Sequence, residues 1–204
     1  WLFFQMVYSN FVATISFSLL SLFLMRITKV TTKTGDSGKT GLGNGERVSK
    51  SSLRINVMGA IDKLNSVIGW ARVVLNDDLS KDFEYIQQDL FNLGGELALP
   101  GAEINLLKIS RLTWLEENIE LINNELPPLT EFIIPGGTEE CSRIHLARAE
   151  CRDSERALVA LSEQEEIPEL HTAYINRLSD YFFIIARKLK TIDGKKEVLW
   201  KRKK

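Results

Sequence analysis

Arg148, Arg152 and Arg156 follow one another at intervals of four within the stretch from Leu146 to Arg156. On a helix that spacing lays them along one stripe. Glu155 lies beside it, three positions beyond Arg152. Like charges four apart repel modestly in isolation. A stripe of three therefore asks for anionic partners, either acidic side chains or a polyphosphate. The fixed charge and planar fork of arginine suit both. The alternative is a solvated face laced with salt bridges, and spacing alone does not separate the two.

A second stretch with chemical potential is Thr32-Lys33-Thr34-Gly35-Asp36-Ser37-Gly38-Lys39-Thr40-Gly41. Small residues let backbone N–H groups approach an anion, and hydroxyls and lysines add donors. Gly38-Lys39-Thr40 matches the end of a Walker A loop, but Lys33 stands where that motif needs its first glycine. No apolar strand leads in either, so this is not a P-loop. It reads equally as a flexible arm or as an arm that holds a nucleotide.

Polar groups also interrupt otherwise apolar helical segments: Asp62 and Asn65 in the first, and Asn176, Arg177 and Asp180 in the last. Such groups near a core need partners, and the arginine stripe could supply them. His145 and His171 each stand without a metal-spaced companion and read as structural. Cys141 and Cys151 fall ten apart in one predicted helix, roughly 15 Å along its axis. A disulfide spans less than about 7 Å, so both are read as free thiols, as suits a reducing, cytoplasmic compartment. No Cys/His cluster has zinc spacing, and no metal site is predicted.

These groups must be carried by helices. Ile55, Met58, Ile61, Leu64, Ile68 and Val74 mark the buried face of a first helix beginning near Ser52. Asn76-Asp77-Asp78 ends it, and Ser80 is placed to cap a second helix that runs to about Leu97. A third covers about Ile104 to Glu125, stopped by Pro127-Pro128. Phe132-Ile133-Ile134-Pro135-Gly136-Gly137 is a short apolar run ending in a turn signal. A fourth helix spans about Thr138 to Glu163, and a fifth about Pro168 to Lys190. The fold class predicted is all-α, a five-helix up-and-down bundle with a flexible N-terminal phosphate-binding arm. Its parts are an arm at 25–50, a bundle domain at 51–190 and a basic, solvated tail at 191–204. Residues 1–24 carry no charge and read as an upstream segment outside the domain, with a membrane anchor or a targeting segment as the alternatives.

The chain has 204 residues, 44% of them hydrophobic, which suits one soluble domain with a full core. Lys and Arg number 26 against 27 Asp and Glu, a net charge of -1. That balance excludes a broad polyanion-binding surface, so nucleic acid is not expected as a partner.

In order along the chain, several segments resemble the PduO-type corrinoid adenosyltransferases. They are Thr32-Lys33-Thr34-Gly35-Asp36 with Gly38 and Thr40; Gly45-Glu46-Arg47 with Lys50; and Gly59 with Asp62-Lys63-Leu64-Asn65-Ser66 and Ile68-Gly69. Phe132 to Gly137, the arginine helix, and Asn176-Arg177-Leu178-Ser179-Asp180-Tyr181 complete the set. Each piece is weak alone; their order from Met25 to about Arg187 is specific.

The resemblance implies a homotrimer with active sites between subunits. It implies ATP binding by Thr32, Lys33, Thr34, Gly35, Thr40 and Gly41, and by Lys50, Arg152, Glu155, Arg156 and Asn176. Asp62 and Arg148 match a pair that bridges subunits near the corrin. Phe132 matches an aromatic residue that crowds the lower face of cobalt. The implied reaction is attack of cob(I)alamin on the 5′ carbon of ATP, with tripolyphosphate leaving. Arg152, Arg156 and Lys50, with Mg²⁺ on the phosphates, would stabilise the leaving group. A reductase and an adenosylcobalamin-dependent enzyme are the implied partners. One position departs from the family pattern Arg-Arg-Ala-Glu-Arg: Asp153 stands in place of its second arginine. Asp153 either faces away and pairs with a lysine, or weakens ATP binding. Two other readings compete with the enzyme: a weakly active bundle that carries adenosylcobalamin, and a membrane-anchored interaction module.

Overall fold

The computed structural model describes residue 31, residues 33–194 and residues 196–202. Residues 1–24 and Thr32 lie outside the described residues. Five helices carry the fold: α1 Leu53–Arg72, α2 Asp77–Leu97, α3 Ile109–Glu125, α4 Glu139–Ser162 and α5 Glu169–Ile192. Two short strands, β1 Lys39–Gly41 and β2 Arg47–Ser49, precede them.

The apolar period of α1 does what it predicts: Ile55, Met58, Ile61, Leu64 and Ile68 are all buried. Val74 falls past the helix end. The cap of α2 is Asn76, whose side chain accepts from the Leu79 N–H at 3.0 Å. Ser80, the expected cap, lies inside the first turn and donates its N–H to the Asn76 carbonyl. Asp77 and Asp78 then occupy the first turn, where their charge complements the helix dipole. α3 starts at Ile109 rather than Ile104 because Asn105 sits at φ 50°, a left-handed conformation that no helix continues through. α4 is capped by Thr138, which accepts from the Cys141 N–H.

Cross-helix bonds fix the topology. α1 runs antiparallel to α2 through the paired Asn65 and Gln87 and through Arg72 and Glu84. It runs antiparallel to α4 through Arg54–Glu165 and Ser154–Ala60. α4 and α5 are antiparallel, with the Cys151 thiol on the Ile175 carbonyl and the Cys141 thiol on that of Ala186. α3 lies along α5 in the same direction, as Glu116–Arg177 and Glu125–Lys188 show. α2 closes the bundle against α5 through Glu96–His171 and Asp89–Tyr174. Inside, Phe83 stacks obliquely on Phe182 at 5.4 Å and on Tyr181 at 6.4 Å, all three fully buried. Burying side chains of this size stabilises the fold by about 1.5–3 kcal/mol each.

Two segments differ from the sequence expectation. Where a flexible arm is expected, β1 and β2 pair antiparallel with Thr40 opposite Val48. Leu42 enters the core, and the Gly43 N–H bonds the Ala98 carbonyl at 2.8 Å. The arm is thus seated on the C-terminal end of α2. The basic tail is not merely solvated. It turns back after α5, and Leu199 bridges antiparallel to Ile133. Among the described residues, no helix is long and apolar enough to cross a membrane.

Candidate active site

The arm presents a tight cradle. Lys33 adopts φ 59° and Gly38 φ 77°. Arg47, itself exposed, braces the turn by donating Nη2 to the Thr34 carbonyl at 2.6 Å and to the Lys39 carbonyl at 3.3 Å. The Lys50 N–H bonds the Gly38 carbonyl. A Cβ added to Gly35 would meet the Lys50 Nζ at 2.9 Å, so the ammonium lies against the glycine turn. Thr40 is buried beneath, while Thr34 is exposed and Gly41 half-buried. The structure therefore joins Lys33, Thr34, Gly35 and Lys50 in one charged turn, and Arg47 is the organiser that spacing alone did not single out.

On α4 the three arginines lie along one face in three different states. Arg148 is half-buried, and its Nε has no hydrogen-bond partner. Burial, then the neighbouring Arg152, lowers its pKa. Arg152 is exposed and, among the described residues, makes no ion pair. Arg156 is exposed and pairs with Asp153 at 2.8 Å. Asp153 also reaches Lys63 at 3.5 Å, while Lys63 bonds Glu150 at 2.6 Å. The Glu150 carboxylate, which accepts from the Lys63 ammonium, is the main cause raising the Lys63 pKa. Asp153 therefore has its lysine partner, and it also holds one arginine of the stripe.

The interrupting polar groups do not pair with the arginine stripe. Glu155 accepts from the Asn176 amide at 2.8 Å; Asn176 in turn accepts from Arg177, whose Nε bonds Glu116 at 3.0 Å. Asp180 stands 3.9 Å from Arg177. Burial raises its pKa, opposed by Arg177 and reinforced by Glu155. Asn65 exchanges hydrogen bonds with Gln87 instead. Asp62 is exposed on α1 and, among the described residues, has no ion-pair partner in its own chain. The expected Asp62–Arg148 pair is not formed within one chain.

His171 is buried, bonding Glu96 through Nε2. His145 is buried with Nδ1 unpartnered, and burial followed by the charge of Arg148 depresses its pKa. Both cysteines are buried and unpaired. Among the described residues, no group of three His, Cys, Asp or Glu could hold a metal ion.

Phe132 lies on the crossing between α3 and α4, its side chain 77% exposed. Its nearest ring is Trp200, 6.4 Å away in the returning tail. Trp200, and Glu197 bonded to Arg187, are neighbours of the Phe132 segment that sequence reasoning passed over. The available signal was an aromatic set among the lysines of the tail.

A family model described as cobalamin adenosyltransferase matches residues 30–189. A cobalamin adenosyltransferase of Cupriavidus metallidurans is 45% identical over 183 residues, covering 88% of this chain and 97% of the relative. A corrinoid adenosyltransferase of Bacillus subtilis is 42% identical over 180 residues, covering 85% and 93%. Among solved structures, a phenylalanine-to-alanine variant of a PduO-type ATP:corrinoid adenosyltransferase from Lactobacillus reuteri, complexed with cobalamin and ATP, matches with a TM-score of 0.80. It shares 35% identity and covers 85% of this chain and 100% of its own. An arginine-to-lysine variant complexed with ATP matches equally well, at 0.80 and 36%. Sequence and backbone agree along nearly the whole bundle, and the chain belongs to the cobalamin adenosyltransferase family, of the PduO type.

Proposed function

We infer that this chain transfers the 5′-deoxyadenosyl group of ATP to cob(I)alamin, giving adenosylcobalamin and tripolyphosphate. The carrying observation is the family match over residues 30–189, joined to solved relatives that hold ATP and cobalamin together. The nucleophile is the reduced cobalt of the substrate, so the protein needs no catalytic base. Its tasks are alignment of cobalt with the 5′ carbon and stabilisation of charge on the departing phosphates.

The cradle residues Lys33, Thr34, Gly35, Thr40, Gly41 and Lys50, together with Thr32, which lies outside the described residues, hold the triphosphate in this reading. The docked turn and the Lys50 ammonium against Gly35 support it. Arg152 is a free cation for the phosphates, and Arg156 joins it once released from Asp153. Glu155 and Asn176, already bonded to each other, present a fixed polar edge to the nucleotide. Mg²⁺ enters with ATP. Phe132 faces the corrin and disfavours the lower cobalt ligand.

The site is completed between subunits of a homotrimer. Supporting this, among the described residues Asp62 lies exposed with no ion-pair partner, while Arg148 keeps a buried Nε without a partner. Each is what the other lacks. Two free buried thiols suit a reducing, cytoplasmic setting. Supply of cobalt(I) implies a reductase, and an adenosylcobalamin-dependent enzyme is the recipient.

The test is anaerobic mixing of purified protein with ATP, Mg²⁺ and chemically reduced cobalamin, followed by the visible spectrum and by tripolyphosphate release. Equal amounts of adenosylcobalamin and tripolyphosphate are expected. Binding of cobalamin without either product would leave the carrier reading in its place.

A further inference from the structure

We propose that the C-terminal tail is the positioning element for Phe132, with Trp200 setting the ring and Glu197 anchoring the strand. The proposal rests on the adenosyltransferase reading above. The tail lies beyond residue 189, where the family match ends.

Phe132 sits on a crossing segment that has no helix or sheet of its own. An exposed ring on such a segment has no fixed direction unless something holds the backbone. The tail does so at two adjacent points. The Ile134 N–H donates to the Val198 carbonyl at 2.8 Å, and the Trp200 N–H donates to the Phe132 carbonyl at 2.7 Å. These bonds flank the Ile133–Leu199 bridge, so the register is set on both sides of Ile133 and places Phe132 opposite Trp200. In an antiparallel arrangement neighbouring side chains can then meet across the strands. Trp200 meets Phe132 with ring planes tilted by 59°.

The tail is itself pinned from the core side. Arg187 of α5 is only 4% exposed. It donates Nε to Glu197 at 2.9 Å and Nη2 to the Pro127 carbonyl at 2.7 Å. One buried guanidinium thus ties the tail to the start of the Phe132 segment. A buried charge paired in this way is strongly held, because its release would leave it uncompensated. A small cavity lined by Ile133, His145, Arg187, Lys190 and Glu197 lies beneath the seam. With its backbone held by these bonds, the ring of Phe132 packs on one side against Trp200, which limits its motion in that direction.

The experiment reads cobalt coordination directly, using the full chain with ATP and cob(II)alamin. Electron paramagnetic resonance gives the fraction of cobalt without its lower ligand. Trp200→Ala and Glu197→Ala should lower that fraction by about 2- to 10-fold, the range expected for loss of one aromatic pair. The KM for ATP should stay within about 1.5-fold, because none of the residues proposed to bind ATP belongs to the tail. In a Phe132→Ala background, Trp200→Ala should change the fraction little, since the two act through one ring. Trp200 is 41% exposed, so its removal leaves the bundle folded; melting confirms this. A folded Trp200→Ala protein with an unmoved spectrum overturns the proposal alone, as does full additivity with Phe132→Ala. Wild-type protein that makes no adenosylcobalamin from cob(I)alamin overturns the parent reading, and the cobalt role of the tail with it.

Discussion

Replacing Asp153 by Asn should strengthen ATP binding. Asp153 accepts from Arg156 at 2.8 Å, and Arg156 is among the cations proposed above to meet the triphosphate. ATP must therefore displace a carboxylate before that guanidinium can turn to phosphate. Both side chains are largely solvated, at 69% and 50% exposure, so solvent and salt screen the pair. Exposed pairs of this kind contribute about 0.2–1 kcal/mol. Removing the competitor should lower the KM for ATP by roughly 1.4- to 5-fold at low salt. The gain should shrink above about 0.5 M salt, where the screening length falls towards 3 Å. Asp153→Arg should likewise leave the KM unchanged or lower it. Steady-state assays of adenosylcobalamin formation at saturating cob(I)alamin measure the effect. In an Arg156→Ala background Asp153→Asn should do nothing, because the path runs through Arg156. A rise in KM, or an equal gain without Arg156, would refute the reasoning.

Asp62→Ala should reduce turnover and weaken the association of subunits, read by sedimentation, with little change in the melting of the isolated bundle. Gly43→Ala would bring a Cβ to 2.9 Å from a Leu99 methyl and 3.1 Å from the Ala98 carbonyl; this should displace the hairpin at about 1–3 kcal/mol and raise the KM for ATP. Phe83→Ala should cost about 3–5 kcal/mol in urea unfolding, because the ring is fully buried against two others. The pH profile of stability should carry a Glu96 component. Burial pushes its carboxyl up, but the hydrogen bonds from His171 and the Leu107 N–H outweigh this and leave it below its ordinary value of 4.5. A depressed acid stabilises the fold above the unfolded pKa and loses that contribution as pH falls through the folded one. Glu96→Gln should therefore flatten the loss of stability below about pH 4.5 in acid titrations followed by circular dichroism.

Helix positions were legible because α1 and its neighbours repeat apolar residues on one face, and the arginine stripe because it shares that period. Boundaries were less so. Ser80 and Asn76 are equally good cap types, and only the bond from the Leu79 N–H decides between them. The start of α3 depends on the left-handed turn at Asn105, which composition does not announce. The hairpin was missed because its strands have three residues each, too short to show alternation. The tail was misread for a different reason. Its order comes from a partner more than sixty residues away in the chain, and no local pattern in Lys195 to Lys204 records that. Arg148 and Asp62 were recognisable through resemblance; what the single chain adds is that neither meets the other within it.

Cys141 and Cys151 point inward at two heights of the seam between α4 and α5, each donating to a carbonyl across it. Burial holds the Cys151 thiol well above its ordinary pKa, so it is unreactive while the seam is shut. The chain thus contains two native clocks for breathing. Modification of each thiol by a small disulfide reagent, resolved by mass spectrometry, times the opening of its own level. Cys151 adjoins Arg152 and the nucleotide end, whereas Cys141 adjoins the first turn beneath the Phe132 crossing. The ratio of the two rates, taken with and without ATP, would map where substrate stiffens the bundle without any label being introduced.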